Sequence, residues 1–179
     1  MTGCTITIVA LRAARLTDCE LVWKWNFSPD VRAHSNDPRG VPYDEHARWF
    51  ADRIELSSPI WIVDADDAPV GVVRLDRCPD PGPGAARISI ALAPSARGRG
   101  IGRRAIALAA AAWAHPIVAE VAASNAASRA CFEACGFVPS NQHGAVITYQ
   151  WHPVHADPGH RVTTSTTCRS GPDLGRVGE

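Results

Sequence analysis

ALAPSARGRGIGRRAIALAAAAW, residues 91–113, passes from an alternating apolar run through Pro94 into three interleaved glycines, then into an alanine-rich run. Strand, tight loop and helix follow one another here, and four arginines (97, 99, 103, 104) crowd the helix start. A helix start carries unpaired N–H groups and the positive end of the helix dipole, so it binds anions readily. Gly98, Gly100 and Gly102 let the backbone turn tightly and approach a ligand with no Cβ in the way. Guanidinium groups add fixed charge and a fork that matches phosphate oxygens. The combination suits a pyrophosphate.

The neighbouring segments place this stretch in a mixed α/β order. Upstream, Cys4–Ala13 is rich in β-branched residues and reads as a first strand. Thr17 and Glu20 have capping-box spacing at the head of a helix carrying Leu21, Val22 and Trp25. Ser28-Pro29 restarts a short helical turn, His34–Val41 is a loop, and Tyr43–Leu56 is an amphipathic helix with acids in its first turn. Pro59–Asp64 and Val70–Asp76 read as a hairpin, Cys78–Gly84 as a loop, and Arg87–Leu92 as the strand entering the glycine stretch.

Downstream, the helix from Gly102 to His115 stops at Pro116. Ile117–Ala123 is a strand, Ala126–Cys135 a helix with Gly136 after it, and Ala145–Trp151 a closing strand. Strands on either side of the glycine-started helix are expected to be parallel, because a helical crossover joins them. After His152 the chain has almost no apolar periodicity and many Gly, Pro, Ser and Thr residues. We expect one domain over 1–152 and a disordered tail over 153–179.

The 179 residues are 46% hydrophobic and 20% charged, with 18 basic against 18 acidic side chains. No global field favours nucleic acid or a membrane surface, so any anion site must be local. The longest apolar run, Ala105–Ala114, is too short to span a bilayer, and no basic segment precedes the apolar N-terminal residues. A cytoplasmic protein, monomeric or homodimeric, is the expectation. Six cysteines stand at 4, 19, 78, 131, 135 and 168. Cys131 and Cys135 would share a helix face, but no second pair has zinc-ligand spacing, so no metal is expected and buried reduced thiols are the reading.

Known phosphate loops differ from this one. A Walker loop requires G-x-x-x-x-G-K-[ST], and no such lysine or hydroxyl is present. The dinucleotide fingerprint is G-x-G-x-x-G opening a βαβ unit, whereas this spacing is G-x-G-x-G after an antiparallel meander. Arg97-Gly98-Arg99-Gly100-Ile101-Gly102 instead resembles the [QR]-x-x-G-x-[GA] acyl-CoA loop of the GNAT N-acetyltransferase superfamily. Asn125-Ala-Ala-Ser128-Arg-Ala-Cys-Phe132-Glu-Ala-Cys-Gly136-Phe137 is similar to the later N-x-x-[AS]-x-x-x-[YF]-x-x-x-G-F block of the same superfamily. Two blocks in the right order, on the expected elements, carry the resemblance.

That resemblance implies an acyl-CoA N-acyltransferase fold: a mostly antiparallel mixed sheet, splayed between its fourth and fifth strands, with helices on both faces. The strands carrying Ile90–Leu92 and Val118–Ala123 would part to admit the pantetheine arm of acetyl-CoA. A backbone N–H of Leu92 or its neighbour would polarise the thioester carbonyl, an oxyanion-type interaction. Arg97, Gly98, Arg99, Gly100, Ile101, Gly102 and Arg103 would hold the pyrophosphate. Asn125, Ser128 and Arg129 would lie near the coenzyme, although Asn125 also reads as the N-cap of its helix.

The reaction implied is direct attack of a substrate amine on acetyl-CoA, with a base to deprotonate the amine. Two residues depart from common family patterns: Arg87 stands where an acid is frequent, and Phe132 where a tyrosine acid is frequent. Glu120 and Asp76 are the candidate bases, each also readable as a solvated carboxylate. Trp23–Arg32 and His46-x-x-Trp49 resemble a subgroup that includes acetyltransferases of nucleotide-linked amino sugars, as in pseudaminic acid synthesis. The aromatics of these segments, with Arg32, His34 and His46, would then line a sugar-nucleotide pocket for the acceptor. Alternatively the tryptophans are core and His46 lies on a helix surface. A small-molecule amine is the expected acceptor. The alternatives are a protein N-terminal or lysine acetyltransferase, and a catalytically silent acyl-CoA-binding module.

Overall fold

In the computed structural model, residues 7–33, 39–56 and 59–153 are described. The hairpin between β2 (Ile60–Ala65) and β3 (Ala68–Arg77) turns on Asp66 and Asp67, with φ of 51° and 64°. Two consecutive left-handed residues make the turn whose twist matches the flanking strands, and Asp is among the few side chains that tolerate it. Asp66 Oδ1 accepts the Ile8 N–H at 2.8 Å, tying the turn to the start of β1 (Val9–Ala13).

β1, β2, β3 and β4 (Ala86–Leu92) form an antiparallel meander. β4 then pairs in parallel with β5 (Ile117–Ala122), but only through Ala86↔Ile117 and Arg87↔Val118. Beyond Arg87 the two strands separate. Sheet order is β1-β2-β3-β4-β5-β7-β6, with β6 over Val138–His143 and β7 over Val146–Trp151. This is the sheet the resemblance implied, splayed between the fourth and fifth strands.

One face is covered by α4 (Ile101–Trp113) and α5 (Ala126–Glu133). α4 buries Ile101, Ala105, Ile106, Ala109 and Ala110 against Val63, Val73, Leu75 and Ile88. Alanine allows close approach to the sheet at little entropic cost, which explains the composition of this helix. The opposite face carries α1 (Cys19–Asn26) and α3 (Tyr43–Glu55), packed through Val22, Trp25 and Phe50 onto Ile60, Ile62, Val72 and Ala91. A four-residue α2 (Pro29–Arg32) starts after Ser28.

Several expectations shift. The first strand begins at Val9, and residues 1–6 lie outside the described residues, as does the expected tail beyond Pro153. A 3-10 turn over Leu16–Asp18 precedes α1, and the capping acid there is Asp18, not Glu20 reaching back to Thr17: Asp18 Oδ2 accepts the Arg15 N–H at 2.8 Å. β6 was unforeseen. Its sequence, VPSNQH, is polar, contains Pro139 and is exposed at every position, as suits a sheet edge. Of the cysteines, Cys19 is buried, but Cys78, Cys131 and Cys135 are only partly so, and all four are free thiols.

Asp18 also receives two hydrogen bonds from the Arg12 guanidinium, at 2.7 and 2.8 Å, and is 6% exposed. These bonds hold its carboxyl below the ordinary aspartate pKa. A depressed folded-state pKa adds stability above the unfolded value of about 4, and that stability is lost as pH falls through the folded value. Asp18→Asn should cost about 2 kcal/mol at neutral pH, a charge-assisted pair being lost beside a partly exposed arginine. Urea melts at pH 7 and pH 3 check this: the wild-type advantage should shrink in acid, and an advantage equal at both pH values contradicts it.

Gly71 opposes Leu92 in the β3–β4 ladder. A Cβ there would lie 2.6 Å from the Ala91 carbonyl oxygen and 2.4 Å from Leu92 Cδ2. Backbone cannot step aside cheaply, so Gly71→Ala should destabilise by about 1–3 kcal/mol and displace Leu92. Thermal melts and acetyl transfer assays should both register it. Unchanged melting would mean that the strands yield freely.

Candidate active site

A cleft of about 1560 Å³ opens where β4 and β5 part. That exceeds a typical single-ligand pocket of roughly 300–1,000 Å³ and leaves room for two reactants. One end is the start of α4. Gly100 is its N-cap, at φ 74°, and Gly98 sits at φ 70°. A Cβ built on either glycine meets nothing within 4 Å, so the loop is open. Arg97, Gly98, Gly100, Gly102 and Arg103 line the cleft.

The loop arginines do different work. Arg97 Nε donates to the Leu92 carbonyl at 3.2 Å, and Arg97 Nη1 lies 3.1 Å from Asp30 Oδ2, pinning the loop to β4 and α2. Arg103, in the first turn of α4, faces the cleft. Arg99 and Arg104 do not line it: Arg99 Nη2 is 3.4 Å from Thr7 Oγ1, and Arg104 donates to the Thr7 carbonyl. Ile101 is a core residue, 1% exposed, so any part it plays in the loop belongs to its backbone.

The phase of the β3–β4 ladder decides which amides face the gap. Ala93 N–H donates to the Val70 carbonyl at 2.8 Å. Inter-strand bonds alternate sides along an antiparallel strand, so the N–H groups of Ile90 and Leu92 point away from β3, toward the parted β5. Ala86 N–H, in the same phase, donates to Pro116 at the head of β5 at 3.1 Å. Ile90 and Leu92 both line the cleft. The Leu92 N–H therefore faces the gap.

On the α1/α3 side, alternation brings Arg74 and Asp76 of β3, Arg87 and Ser89 of β4, and Glu120 of β5 to one face. Glu120 Oε1 lies 3.1 Å from Arg87 Nη2. Its side chain is 30% exposed and lines the cleft. Asp76 is held by Arg74 Nε at 2.7 Å and Arg53 Nη2 at 3.2 Å and does not line the cleft. Of the two candidate bases, only Glu120 lines the cleft.

The cleft wall nearest α1, α2 and α3 is formed by Phe27, Arg32, His46 and Trp49. His46 is 3% exposed and packs against Phe27, Trp49 and Phe50, which corrects the reading of it as a surface residue. Burial, with the nearby Arg74 charge, holds its pKa below the ordinary histidine value. Its Nε2 has no partner among the described residues. The Arg32 guanidinium lies 5.0 Å over the Phe27 ring, and Arg74 lies 5.1 Å over Trp49. Trp25 is core and Trp23 donates to the Val41 carbonyl, so these two tryptophans are structural. His34 lies outside the described residues.

Asn125 caps α5, its Oδ1 accepting the Ser128 N–H at 3.0 Å, and both residues line the cleft. Arg129 does not. It turns away to the Ala123 carbonyl at 3.2 Å and the Tyr149 hydroxyl at 3.4 Å. Phe132 is buried edge-on against Phe137 and supplies no proton. Arg87 as the partner of Glu120 was not foreseen: strand alternation hints at it, but cross-strand register is invisible in sequence. No group of three or more potential metal ligands exists among the described residues.

The model of the acetyltransferase (GNAT) domain matches residues 9–138. The chain belongs to the GNAT acetyltransferase family. The matched segment of this GNAT enzyme runs from β1 to the start of β6 and contains the whole cleft. No curated protein matches it. Among solved structures it is similar to yncA from Salmonella typhimurium, determined with its cofactor acetyl-CoA, at 21% identity and TM-score 0.64, covering 84% of this chain and 98% of that one. It is similar to spermidine N-acetyltransferase from Vibrio cholerae, in complex with CoA and spermine, at 22% identity and TM-score 0.67, covering 79% and 92%. Ribosomal-protein-alanine N-acetyltransferase from Brucella melitensis is a third, at 21% identity and TM-score 0.64, covering 80% and 99%. At these identities the likeness is one of fold. No described helix is long and apolar enough to cross a membrane.

Proposed function

We propose that this GNAT domain transfers an acetyl group from acetyl-CoA to the primary amine of a small molecule, by direct attack in a ternary complex. The observation that carries this reading is a single cleft joining an open glycine–arginine helix start to a carboxylate across a gap in the sheet. The loop fits a diphosphate: Gly98 and Gly100 leave space above the backbone, and the first N–H groups of α4 have no intrahelical partner. Acetyl-CoA supplies the activated acyl thioester.

The remaining chemistry belongs to this chain. Residues 98–103 and Arg103 hold the phosphates, while the N–H groups of Ile90 and Leu92 line the gap as donors. Leu92 N–H stabilises negative charge developing on the acyl oxygen, a term that costs no reorganisation because the strand is already fixed. A primary amine is largely protonated at neutral pH, so a base must take its proton. Glu120, held in place by Arg87, does this directly or through a water. Thiolate is a tolerable leaving group, so no tyrosine is required at Phe132.

The acceptor lies against Trp49, Phe27 and His46, with Arg32 available to an anionic group on it. An amino sugar is one member of that class, suggested by the Trp23–Arg32 segment. Free-thiol release from acetyl-CoA, measured over amino sugars, aminoglycosides, polyamines and short peptides, tests the reading. Turnover with a small amine supports it. Turnover with peptides alone points to a protein acetyltransferase, and acetyl-CoA binding with no release for any amine to a silent module.

A further inference from the structure

Cys131 and Cys135 are i,i+4 neighbours at the C-terminal end of α5, where regular helix gives way after Glu133 to a turn closed by Gly136 at φ 84°. Their thiols influence one another's titration, Cys131 downward and Cys135 upward. Cys135 Sγ also donates to the Arg103 carbonyl at 3.4 Å. Cys131 lines the cleft, and a Cβ on Gly102 would lie 3.5 Å from its sulfur. The pair therefore sits beside the third glycine of the phosphate loop, with Cys131 toward the cleft and Cys135 behind it.

From this geometry we infer that Cys131 and Cys135 form a reactive dithiol that takes small disulfides such as oxidised glutathione and gates the acyl-CoA groove. The gating half rests on the proposed acyl-CoA reading; the thiol chemistry does not. The backbone permits the bond. Helical i,i+4 Cα atoms are about 6.2 Å apart, inside the roughly 4.4–6.8 Å range of disulfides. Cys135 ends beyond the last regular turn, so it can rotate without breaking the body of α5.

Reactivity divides between the two sulfurs. The neighbouring Cys135 thiol, aided by the Arg103 charge, lowers the Cys131 pKa, while the same pairing and burial raise that of Cys135. Cys131 is thus the sulfur that ionises first and attacks. Its thiolate attacks one sulfur of the small disulfide, forming a mixed disulfide and releasing one small thiolate. Cys135 then gives its proton to solvent and attacks the Cys131 sulfur, releasing the second. Two protein thiols are oxidised and one small disulfide is reduced to two thiols. While the mixed disulfide persists, its bulk fills the groove over Gly102.

The test treats the full-length protein with oxidised glutathione and maps the products by peptide mass spectrometry. The expected product is a Cys131–Cys135 disulfide, with Cys19 and Cys78 left reduced. Cys135→Ser should instead accumulate a glutathione adduct on Cys131, and that adduct should bind acetyl-CoA at least tenfold more weakly than the same variant reduced. Acetyl-CoA present beforehand should slow the modification severalfold. Modification of Cys131 no faster than of Cys78, or no bridged product, overturns the dithiol. An adduct that leaves acetyl-CoA affinity unchanged overturns the gating. If even the reduced protein fails to bind acetyl-CoA, the acyl-CoA reading fails, and the mapped disulfide still reports on the thiols.

Discussion

Gly100→Asp should weaken acetyl-CoA binding by about a hundredfold or more, equivalent to about 2.7 kcal/mol. Two effects add. Gly100 caps α4 at φ 74°, a conformation that a side chain strains. The new carboxylate would also stand in the open space at Gly100 that we propose for the diphosphate, turning the attraction of a helix start for anions into repulsion. Gly100→Asn separates the two, because asparagine matches aspartate in size and in tolerance of the left-handed conformation but carries no charge. Calorimetric titration of both variants should show a modest loss for asparagine and the large loss for aspartate. Equal losses would assign the effect to backbone strain, and no loss would remove the loop from the site.

Glu120→Gln should lower kcat by about a hundredfold or more, within the range general base catalysis contributes, while leaving acetyl-CoA affinity within about twofold. Glutamine keeps the shape and a hydrogen bond to Arg87 but cannot accept the amine proton. The defect should narrow as pH rises toward the amine's own pKa, about 10 for an alkylamine, because the acceptor then arrives already deprotonated. Steady-state kinetics from pH 7 to 9.5 check both parts. A variant with wild-type kcat at pH 7 would place the base elsewhere. A defect that does not narrow with pH would assign Glu120 to positioning.

Much of this architecture is written in local pattern. The meander, the glycine-started helix and the second helix block all follow from alternation, capping and turn residues, which act over a few positions. β6 escaped because an exposed edge strand has no apolar face to betray it, and VPSNQH is as polar as a loop. The capping acid escaped by a few residues because Arg12, a partner from β1, recruits Asp18.

The site was legible where backbone carries it and less so where side chains do. Gly98, Gly100, Gly102 and the strand amides are placed by the chain path, which the motif specifies. The arginines are not. Spacing alone cannot say that Arg99 and Arg104 reach back to Thr7, or that Arg129 turns to Tyr149. Glu120 and Asp76 looked equivalent in sequence. Only cross-strand register shows one facing the cleft and the other held between two arginines.

The most direct test follows the backbone amides of residues 98–103 by NMR during titration with CoA, and separately with pantetheine, which lacks the diphosphate. The amide protons of Gly98, Gly100, Gly102 and Arg103 should move downfield with CoA and stay near their free positions with pantetheine. If CoA binds while these amides do not respond, the glycine-rich start of α4 does not hold the diphosphate, and the account of the site is wrong.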